Sequence, residues 1–255
     1  MVRRCCCSGG VENKAQGLGF FMDIPNLTTE QMREVDLAMI QYFHIELIQM
    51  MENAGRNLAH LARFRFLDGD PRRKNIAVLA GSGGNGGGVL VAARRLHNWG
   101  AAVRVYVTKD KTEFTPIPAH QFDILSRMGV SINTAEALDG VGEVDLIIDG
   151  VIGYTLYGAL RGTAADLIQW AKVQSAPVLS LDVPSGIDTT TGVVFEPAIH
   201  ATATLTLALP KEGLLNPGAA NLCAGRNYSR RLMAHVVHAF LLYCYLHTRS
   251  PSCLN

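Results

Sequence analysis

The chain has 255 residues, of which 23 are Lys or Arg and 22 are Asp or Glu, giving a formal net charge of +1. This balance gives no electrostatic reason to expect nucleic acid or an anionic membrane as a partner, so a small-molecule ligand is favoured. The length allows one large domain with a full hydrophobic core or two small domains, and we expect one.

The chain ends and the cysteines bear on the cellular setting. We interpret residues 1–22 as a disordered N-terminal extension; it lacks the uninterrupted apolar run of a secretory signal, and targeting to an organelle stays open. Residues 232–246 are too short and too polar to span a bilayer, so no transmembrane segment is predicted. A reducing, cytoplasmic setting is favoured because neither zinc-site spacing nor disulfide-scaffold density is found among Cys5, Cys6, Cys7, Cys223, Cys244 and Cys253.

Two helices are predicted at the start of the folded domain. Thr28 followed by Gln31 fits a capping box, which opens a helix that ends near Gln41. A second helix carries an apolar stripe along one face, formed by Leu47, Met51, Ala54, Leu58 and Leu61. The stripe fits either a partner surface or plain core packing, and core packing is the commoner use of such stripes.

From Asn75 onward, short apolar runs alternate with helical stretches. The runs predicted as strands are residues 75–80, 101–108, 144–149, 176–183 and 201–209, and the helices between them are 89–99, 119–128 and 163–173. This alternation predicts an α/β fold: a Rossmann-like, doubly wound, mostly parallel sheet flanked by helices in three layers, joined by the N-terminal helical pair. In such sheets the ligand lies beyond the carboxyl ends of the strands.

A glycine-rich loop follows the first predicted strand. Six of the eight residues from Gly81 to Gly88 are glycine, and bare backbone at the start of a helix favours phosphate or pyrophosphate as a ligand. The loop contains GxGxxG, but the second strand ends in Lys109 before Asp110, where a nicotinamide dehydrogenase needs an acid. A nicotinamide oxidoreductase is therefore disfavoured. The Gly-Lys-Ser/Thr of a P-loop does not follow either.

Two further strand ends carry acids. Asp149 ends the third predicted strand, and Asp182 opens the turn that runs to Ser185. A lone Asp after a strand is more often a cap or turn residue than a catalyst. The carboxyl ends of parallel strands share one edge of the sheet, so Asn85, Asp149 and this turn converge there, and convergence favours a binding site.

Several stretches match a known family in the same order: LTTEQMREVD, QMMENAGRNLA, VLAGSGGNGGG, IIDGVIGYTLYG, LDVPSGID and LTLALPKEGLL. Over about residues 27–215 the chain resembles the NAD(P)H-hydrate epimerases, the YjeF N-terminal domain family. The resemblance implies a Rossmann-like domain of that type over residues 23–225. It also implies an isomerase that interconverts the R and S epimers of hydrated NADH and NADPH for cofactor repair. One potassium ion per subunit, coupling to an NAD(P)H-hydrate dehydratase and a homodimer are further implications.

The family's site residues fall on matching positions of this chain. Its potassium ligands would be Asn85, Asp149 and Ser185, whose amide, carboxylate and hydroxyl oxygens suit a hard cation. Asp182 is the candidate to shuttle a proton at the hydrated carbon and to contact the substrate. The other substrate contacts would be Gly84, Asn85, Gly86, Gly87 and Gly88 in the loop, and Gly153, Tyr154, Thr155, Leu156, Tyr157, Gly158 and Ala159 over the ring.

The chain also departs from the family pattern. Where the family loop has Asn, Asp and Gly, this chain has Gly84, Gly88 and Val89, so two polar contacts are missing and Gly88→Asp is expected to speed epimerisation. Residues 226–255 form an atypical tail. Lys211 matches a family position, but a lysine after a strand is predicted to be exposed and solvated. The alternative function is a catalytically weak or inactive relative that serves as a nucleotide-ligand or protein binding module.

Overall fold

A parallel sheet of seven strands forms the centre of the computed structural model, which describes residues 26–224 and 232–235. The strands lie in the order β3-β2-β1-β4-β5-β6-β7, and each pairing between neighbours is parallel. In chain order they are β1 (Asn75–Ala80), β2 (Ala102–Val107), β3 (Ser131–Asn133), β4 (Leu146–Gly150), β5 (Val178–Leu181), β6 (Ala203–Leu207) and β7 (Leu232–His235).

The five strands predicted from apolar runs are confirmed as β1, β2, β4, β5 and β6. Two strands were missed. β3 has only three residues at the sheet edge, too few for a recognisable pattern. β7 pairs with β6, with Met233 beside Leu205, and lies in the stretch that we predicted as an atypical tail. The rest of that tail and the predicted extension over residues 1–22 lie outside the described residues.

Helices cover both faces of the sheet, as the three-layer prediction requires. They are α1 (Thr29–Gln41), α2 (Leu47–Phe66), α3 (Gly84–Asn98), α4 (Pro116–Arg127), α5 (Thr163–Lys172) and α6 (Pro217–Ala224). Alternate residues of β1 point to opposite faces: Val78 joins a core with Leu90 of α3 and Leu125 of α4, whereas Leu79 joins a core with Leu167 of α5. None of the helices within the described residues is long and apolar enough to cross a membrane.

The apolar stripe of α2 is used for packing within the chain. Met51 and Leu58 are buried, together with Gly55, Ala59 and Ala62, and α2 packs closely on α3: a Cβ on Gly55 would lie 2.5 Å from the Gly88 carbonyl oxygen. Core packing is thus confirmed for Met51 and Leu58, and Leu61 is partly buried against the core, whereas Ala54 is only partly buried. The first residue of the stripe, Leu47, is 38% exposed, because the buried face is rotated slightly from the predicted one.

The α1 helix begins as predicted and covers the edge of the sheet at which the strands end. Its capping box is present: Thr28 Oγ1 accepts from the backbone N–H of Gln31, and Gln31 Oε1 accepts from that of Thr28. Leu27 bonds to the backbone of the loop after β6. The apolar side of α1 packs on Leu209 in a cluster separate from the two sheet cores.

The order in which the strands are added to the sheet reverses at β1. From β1 the chain passes to β2 on one side, and later to β4 on the other side. The loops after β1 and β4 therefore leave in opposite directions and open a crevice between them, which is where ligands bind in doubly wound sheets.

Candidate functional site

A cavity of about 720 Å³ lies in this crevice, along the carboxyl edge of the sheet. One end reaches Lys109, after β2, and the other reaches Lys211, after β6. Helices α1 and α2 supply an outer wall rich in apolar side chains, including Met32, Met39 and Met50. The volume lies within the range of small-molecule sites.

The glycine-rich loop supplies the wall next to β1. Helix α3 begins inside this loop, at Gly84 instead of the predicted Val89, and its N-cap is Gly83, which has no side chain to bond the first-turn amides. These amides and the positive end of the helix dipole are therefore available to an anion in the cavity. The cavity is lined by Gly84, Asn85, Gly86 and Gly88. Gly87 is not among the lining residues, and a Cβ there would lie 2.3 Å from the sulfur of Met51.

Asp149 and Ser185 lie side by side behind the cavity wall. Asp149 is fully buried at the end of β4, and its carboxylate accepts hydrogen bonds from Ser185 Oγ at 2.6 Å, Ser180 Oγ at 2.8 Å, Ser185 N at 3.0 Å and Val151 N at 3.2 Å. Burial raises the pKa of the Asp149 carboxyl, and the hydrogen bonds from Ser185 oppose that rise. Within the described residues, no Lys, Arg or His forms an ion pair with this carboxylate.

Asn85 joins this pair to the cavity. Its Nδ2 donates to the carbonyl oxygen of Leu181 at 2.9 Å, and its amide packs so tightly on Gly153 that a Cβ there would lie 2.7 Å from Asn85 Cγ. Its Oδ1 accepts no hydrogen bond from the part of the chain that is described. The three predicted potassium ligands thus follow the neighbouring strands β1, β4 and β5; Asp149 and Ser185 are in contact, and Asn85 packs on the loop after β4. In residues 26–224 and 232–235, no group of three or more His, Cys, Asp or Glu side chains is arranged to hold a metal ion.

A buried ion pair lies at the β6 end of the cavity. Lys211 is fully buried and Asp182 is 2% exposed; the Lys211 ammonium group donates to Asp182 Oδ1 and, at 2.8 Å, to the Leu207 carbonyl oxygen. The backbone N–H of Leu207 also donates to Asp182 Oδ1, at 3.1 Å. Oδ2 of Asp182 accepts no hydrogen bond from the described residues, which leaves this oxygen for a ligand. The prediction that Lys211 is exposed and solvated is wrong, because the ammonium group is held by this carboxylate.

The backbone at Asp182 is also unusual. Its φ of +67° lies in the left-handed region, which few residues other than glycine adopt and which Asp and Asn tolerate better than most. The N–H of Asp182 donates to the Leu205 carbonyl oxygen at 2.7 Å, so β6 holds this conformation in place.

A second carboxyl group lines the same cavity. Asp36 lies on α1, and its Oδ2 accepts a hydrogen bond from the Tyr154 hydroxyl. Burial raises the pKa of Asp36; the bond from Tyr154 opposes the rise, the charge of Asp182 adds to it, and the charge of Lys211 opposes it. Burial and the neighbouring Asp36 likewise hold the pKa of the Tyr154 phenol above its usual value. The other carboxyl oxygen, Oδ1, accepts no hydrogen bond from the described residues.

The predicted substrate contacts after β4 divide into two groups. Gly153, Tyr154 and Thr155 line the cavity. Tyr157 is 77% exposed, and its hydroxyl accepts a hydrogen bond from Arg33 at 2.6 Å. Gly87, Leu156, Tyr157, Gly158 and Ala159 do not line the cavity. Contact with substrate stays a prediction for all of the residues named in the sequence analysis.

Sequence reasoning missed Asp36 and misjudged Lys211. A signal for Asp36 was present, because it interrupts the apolar face of α1 that buries Met32, Val35 and Met39. A signal for Lys211 was its place in the otherwise apolar run LALPKEGLL. A charged side chain within an apolar face is either paired or functional.

The chain resembles a described family over most of its length. A family model described as YjeF-related protein N-terminus matches residues 47–213. The NAD(P)H-hydrate epimerase of Dehalogenimonas lykanthroporepellens is 41% identical over 196 residues, covering 75% of this chain and 77% of the relative. The NAD(P)H-hydrate epimerase of Rhodopirellula baltica is 32% identical over 202 residues, covering 78% of this chain and 81% of the relative.

Two further likenesses extend this result. The bifunctional NAD(P)H-hydrate repair enzyme Nnr of Salinibacter ruber is 32% identical over 205 residues, which are 74% of this chain but only 37% of that longer enzyme. Among solved structures, the crystal structure of yeast YNL200c matches with a TM-score of 0.68 and 25% identity, over 83% of this chain and 87% of the yeast chain.

Proposed function

The chain belongs to the family described as YjeF-related protein N-terminus, and we propose that it is an NAD(P)H-hydrate epimerase, which interconverts the R and S epimers of hydrated NADH and NADPH. One observation carries the proposal. Asp182, with one carboxylate oxygen held by Lys211 and the other free, opens into the cavity that begins at the glycine-rich start of α3. A proton-transfer group thus shares one cavity with an anion site, as a reaction on a dinucleotide requires.

The cavity suggests how the dinucleotide lies. The pyrophosphate would bind the first-turn amides of α3, near the middle of the sheet edge. The hydrated nicotinamide ring would reach Asp182 and Lys211 at the β6 end, and the adenosine would extend toward Lys109 at the β2 end. This orientation follows the usual placement of dinucleotides across the point at which the strand order reverses.

Asp182 would move the proton that epimerisation requires. A protonated carboxyl group gives its proton to the hydroxyl on the hydrated carbon, and the C–O bond breaks with its electron pair staying on oxygen, so water leaves. The lone pair of the ring nitrogen then forms the C=N bond of a planar iminium. When water returns, its oxygen bonds the carbon, the π pair goes back to nitrogen, and a carboxylate takes the released proton. Lys211 stabilises the Asp182 carboxylate between these steps.

We also propose that a potassium ion binds at Asn85, Asp149 and Ser185. The support is that the buried Asp149 carboxylate has hydrogen-bond donors but no cationic partner among the described residues, and a buried charge without one is costly. The three side chains offer the oxygen ligands that a hard cation prefers. The ion would supply positive charge behind the glycine-rich loop.

The potassium site predicts cation-dependent stability. Exchanging potassium for a large organic cation should lower the melting temperature, because the Asp149 carboxylate then loses its counter-ion. Asp149→Asn should abolish the difference between the two salts. Differential scanning calorimetry would measure both proteins, and wild-type melting curves that coincide in the two salts would contradict the site.

The proposed partners follow from the relatives. Because the bifunctional enzyme Nnr of Salinibacter ruber contains a segment like this chain, we propose that the epimer made here passes to an NAD(P)H-hydrate dehydratase. A homodimer is supported by exposed apolar side chains on α1 and α2, among them Leu37 and Phe64. A cytoplasmic setting is in keeping with Cys223, a buried thiol that forms no disulfide within the described residues.

Adding the purified chain to each separate epimer of hydrated NADPH tests the function. Chromatography or NMR should show interconversion much faster than in buffer. Asp182→Asn should slow it by about 10² to 10⁴, the usual contribution of a general acid or base, with little loss of affinity. Tight binding without any acceleration would instead support the binding-module alternative, which the absence of a carboxylate at Gly88 favours.

A further inference from the structure

Epimerisation makes a demand that Asp182 alone does not meet. If the proposed function holds, as this inference assumes, water must leave one face of a planar ring and return to the opposite face. A carboxyl group fixed beside one face can exchange a proton only with a hydroxyl on that face. Asp182 is fixed by Lys211 and by the backbone N–H of Leu207, so a second group is needed for the other face.

A second carboxyl group lines the cavity, and in the described part of the chain it is like Asp182 in having one oxygen that is hydrogen-bonded and one that is not. One oxygen of Asp182 is held by Lys211, and one oxygen of Asp36 is held by Tyr154. Within the described residues, the remaining oxygen of each accepts no hydrogen bond, and both side chains line the cavity. They come from different walls, since Asp182 follows β5 at the sheet edge, whereas Asp36 lies on α1, which covers that edge.

We propose that Asp36, positioned by Tyr154, is the second catalytic acid and base and serves the face of the ring that Asp182 does not reach. In one direction the Asp36 carboxyl gives its proton to the departing hydroxyl, and the Asp182 carboxylate takes the proton of the water that adds to the opposite face. In the other direction the two exchange roles. Water in the cavity returns the proton from one carboxyl group to the other between turnovers.

The surroundings of Asp36 suit this role better than a structural one. Burial raises the pKa of Asp36, which is the direction that favours a carboxyl group able to give a proton as well as take one. The Tyr154 phenol keeps its proton and acts as a donor that fixes one oxygen. If Asp36 served only to join α1 to Tyr154, a neutral hydrogen-bond acceptor such as an amide would be enough. A carboxyl group places a costly charge on an apolar helix face.

An oxygen-isotope experiment separates the two faces. Each epimer of hydrated NADPH is prepared with ¹⁸O in its hydroxyl group and given to the full chain, to Asp36→Asn and to Asp182→Asn. Chromatography follows inversion, and mass spectrometry follows loss of label to water. Glu34→Gln is the matched control, because Glu34 is an exposed acid on the same helix.

Asp36→Asn should slow inversion by about 10² to 10⁴. One epimer, whose hydroxyl faces Asp182, should still lose its label with retention of configuration, and the other should keep it. Asp182→Asn should show the same behaviour with the epimers exchanged, and Glu34→Gln should match the unmodified chain. This reciprocal pattern distinguishes a catalytic group from a residue that only shapes the cavity.

The opposing outcomes are distinct. If Asp36→Asn inverts the substrate within about threefold of the unmodified rate, the effect is far below that of a general acid, and this proposal alone is overturned. Equal loss of label exchange in both epimers would also overturn this proposal alone. Failure of the unmodified chain to speed inversion would overturn the proposed function and this assignment with it.

If Asp36→Asn does not fold, Tyr154→Phe is the second variant, because it keeps both carboxyl groups. It should slow inversion about tenfold in both directions, the scale of one hydrogen bond to a charged group. It should also slow loss of label more in the epimer whose hydroxyl faces Asp36 than in the other, and equal slowing of label loss in the two epimers would overturn the proposal.

Discussion

At the scale of single residues, the proposed chemistry rests on the ion pair between Lys211 and Asp182. Both side chains are buried, and two charges leave water at a tolerable cost only when they meet in good geometry and their other polar atoms are bonded. The Lys211 ammonium group satisfies this condition by also bonding the Leu207 carbonyl oxygen. The pair therefore stabilises the Asp182 carboxylate and fixes which of its oxygens is free.

Removing the cation should be costly. Lys211→Met keeps most of the side-chain volume but leaves the Asp182 carboxylate buried without a partner, so the free energy of unfolding should fall by about 3–5 kcal/mol. Urea denaturation measures the change. Lys172→Met is the matched control, because its 2.8 Å ion pair with Glu196 lies at the surface and should contribute less than about 1 kcal/mol. Similar losses in the two variants would show that the buried pair is not stabilised as described.

Some of these residues could be predicted from the sequence and others could not. Asp149 and Asp182 could be placed together, because the alternation of strands and helices already implies a parallel sheet with one shared carboxyl edge. The burial of Lys211 could not, because it depends on a carboxylate 29 residues away in the chain. Local pattern describes a lysine after a strand, and only the folded loop shows what that lysine meets.

Gly88 illustrates the opposite case, in which the sequence suggested a change that the structure does not favour. A Cβ at Gly88 would lie 2.5 Å from Leu181 Cδ2, and Leu181 is a fully buried core residue. An Asp introduced there meets this methyl group before it meets a ligand. The expectation that Gly88→Asp speeds epimerisation therefore takes no account of the packing of the loop against β5.

Gly88→Asp should lower the free energy of unfolding by about 1–3 kcal/mol, the usual cost of overpacking. Adding Leu181→Val removes the methyl group in contact, so the double variant should be more stable than the sum of the two single changes predicts, by about 0.5–3 kcal/mol. Gly84→Ala is the control, since nothing lies within 4 Å of a Cβ at Gly84. Additive effects of the two substitutions, measured by urea denaturation, would refute the clash.

At the scale of secondary structure, helix starts were predictable when a side chain marks them. The Thr28 capping box identified α1 to within a residue. The start of α3 was placed too late because glycine has low helix propensity, and here packing outweighs propensity: Gly86, Gly87 and Gly88 are all buried in the first turns of α3. Close packing against α2 and the sheet, which the sequence does not display, extends the helix into the loop.

The Asp36 carboxyl group on α1 should lower the stability of the folded protein at neutral pH, and a pH series can measure this cost. Burial raises the pKa of folded Asp36 above its unfolded value, so the folded state binds more protons between the two values and stability falls as the pH rises through that interval. Asp36→Asn removes this cost and can still accept the hydrogen bond from Tyr154. The variant should therefore be more stable than the parent at neutral pH, and the difference should vanish as the pH falls below about 4, the ordinary Asp value.

Urea denaturation across this pH range gives the comparison, and Asp70→Asn supplies a control of opposite sign. Arg72 lowers the pKa of the exposed Asp70 to about 2, so Asp70 stabilises the folded state above its unfolded pKa, and that stability is lost as the pH falls. Its replacement should not stabilise the protein at neutral pH. A destabilised Asp36→Asn variant at neutral pH would mean that the carboxyl group supports α1 instead of costing it stability.

At the scale of the whole molecule, the sheet topology places the ends of one extended ligand on different strands. The cavity runs from Lys109 after β2 to Lys211 after β6, so a dinucleotide in the proposed orientation, with its reactive ring at Asp182, would extend its adenosine toward β2. Lys109 also lines a second, shallower hollow beyond the cavity, together with Asp110 and Lys111. Lys109, which borders both cavities, therefore places a positive charge at the β2 end of the larger one.

This placement predicts which cofactor hydrate the chain prefers. In dinucleotide sites an acid after the second strand bonds the ribose 2′-hydroxyl, whereas a cation there accommodates a 2′-phosphate. Lys109 occupies that region, and its 3.3 Å pair with Glu113 is about half exposed, so little is lost when a phosphate replaces the carboxylate. The ratio of kcat/KM for hydrated NADPH over hydrated NADH should exceed one. Lys109→Glu should lower that ratio by about 10- to 100-fold, the scale of a hydrogen bond to a charged group.

Arg127→Glu is the control, because it makes an equal charge change at the exposed end of α4, and it should leave the ratio unchanged. Equal losses for both substrates in Lys109→Glu would place this lysine at the pyrophosphate, which the two substrates share, instead of at the ribose.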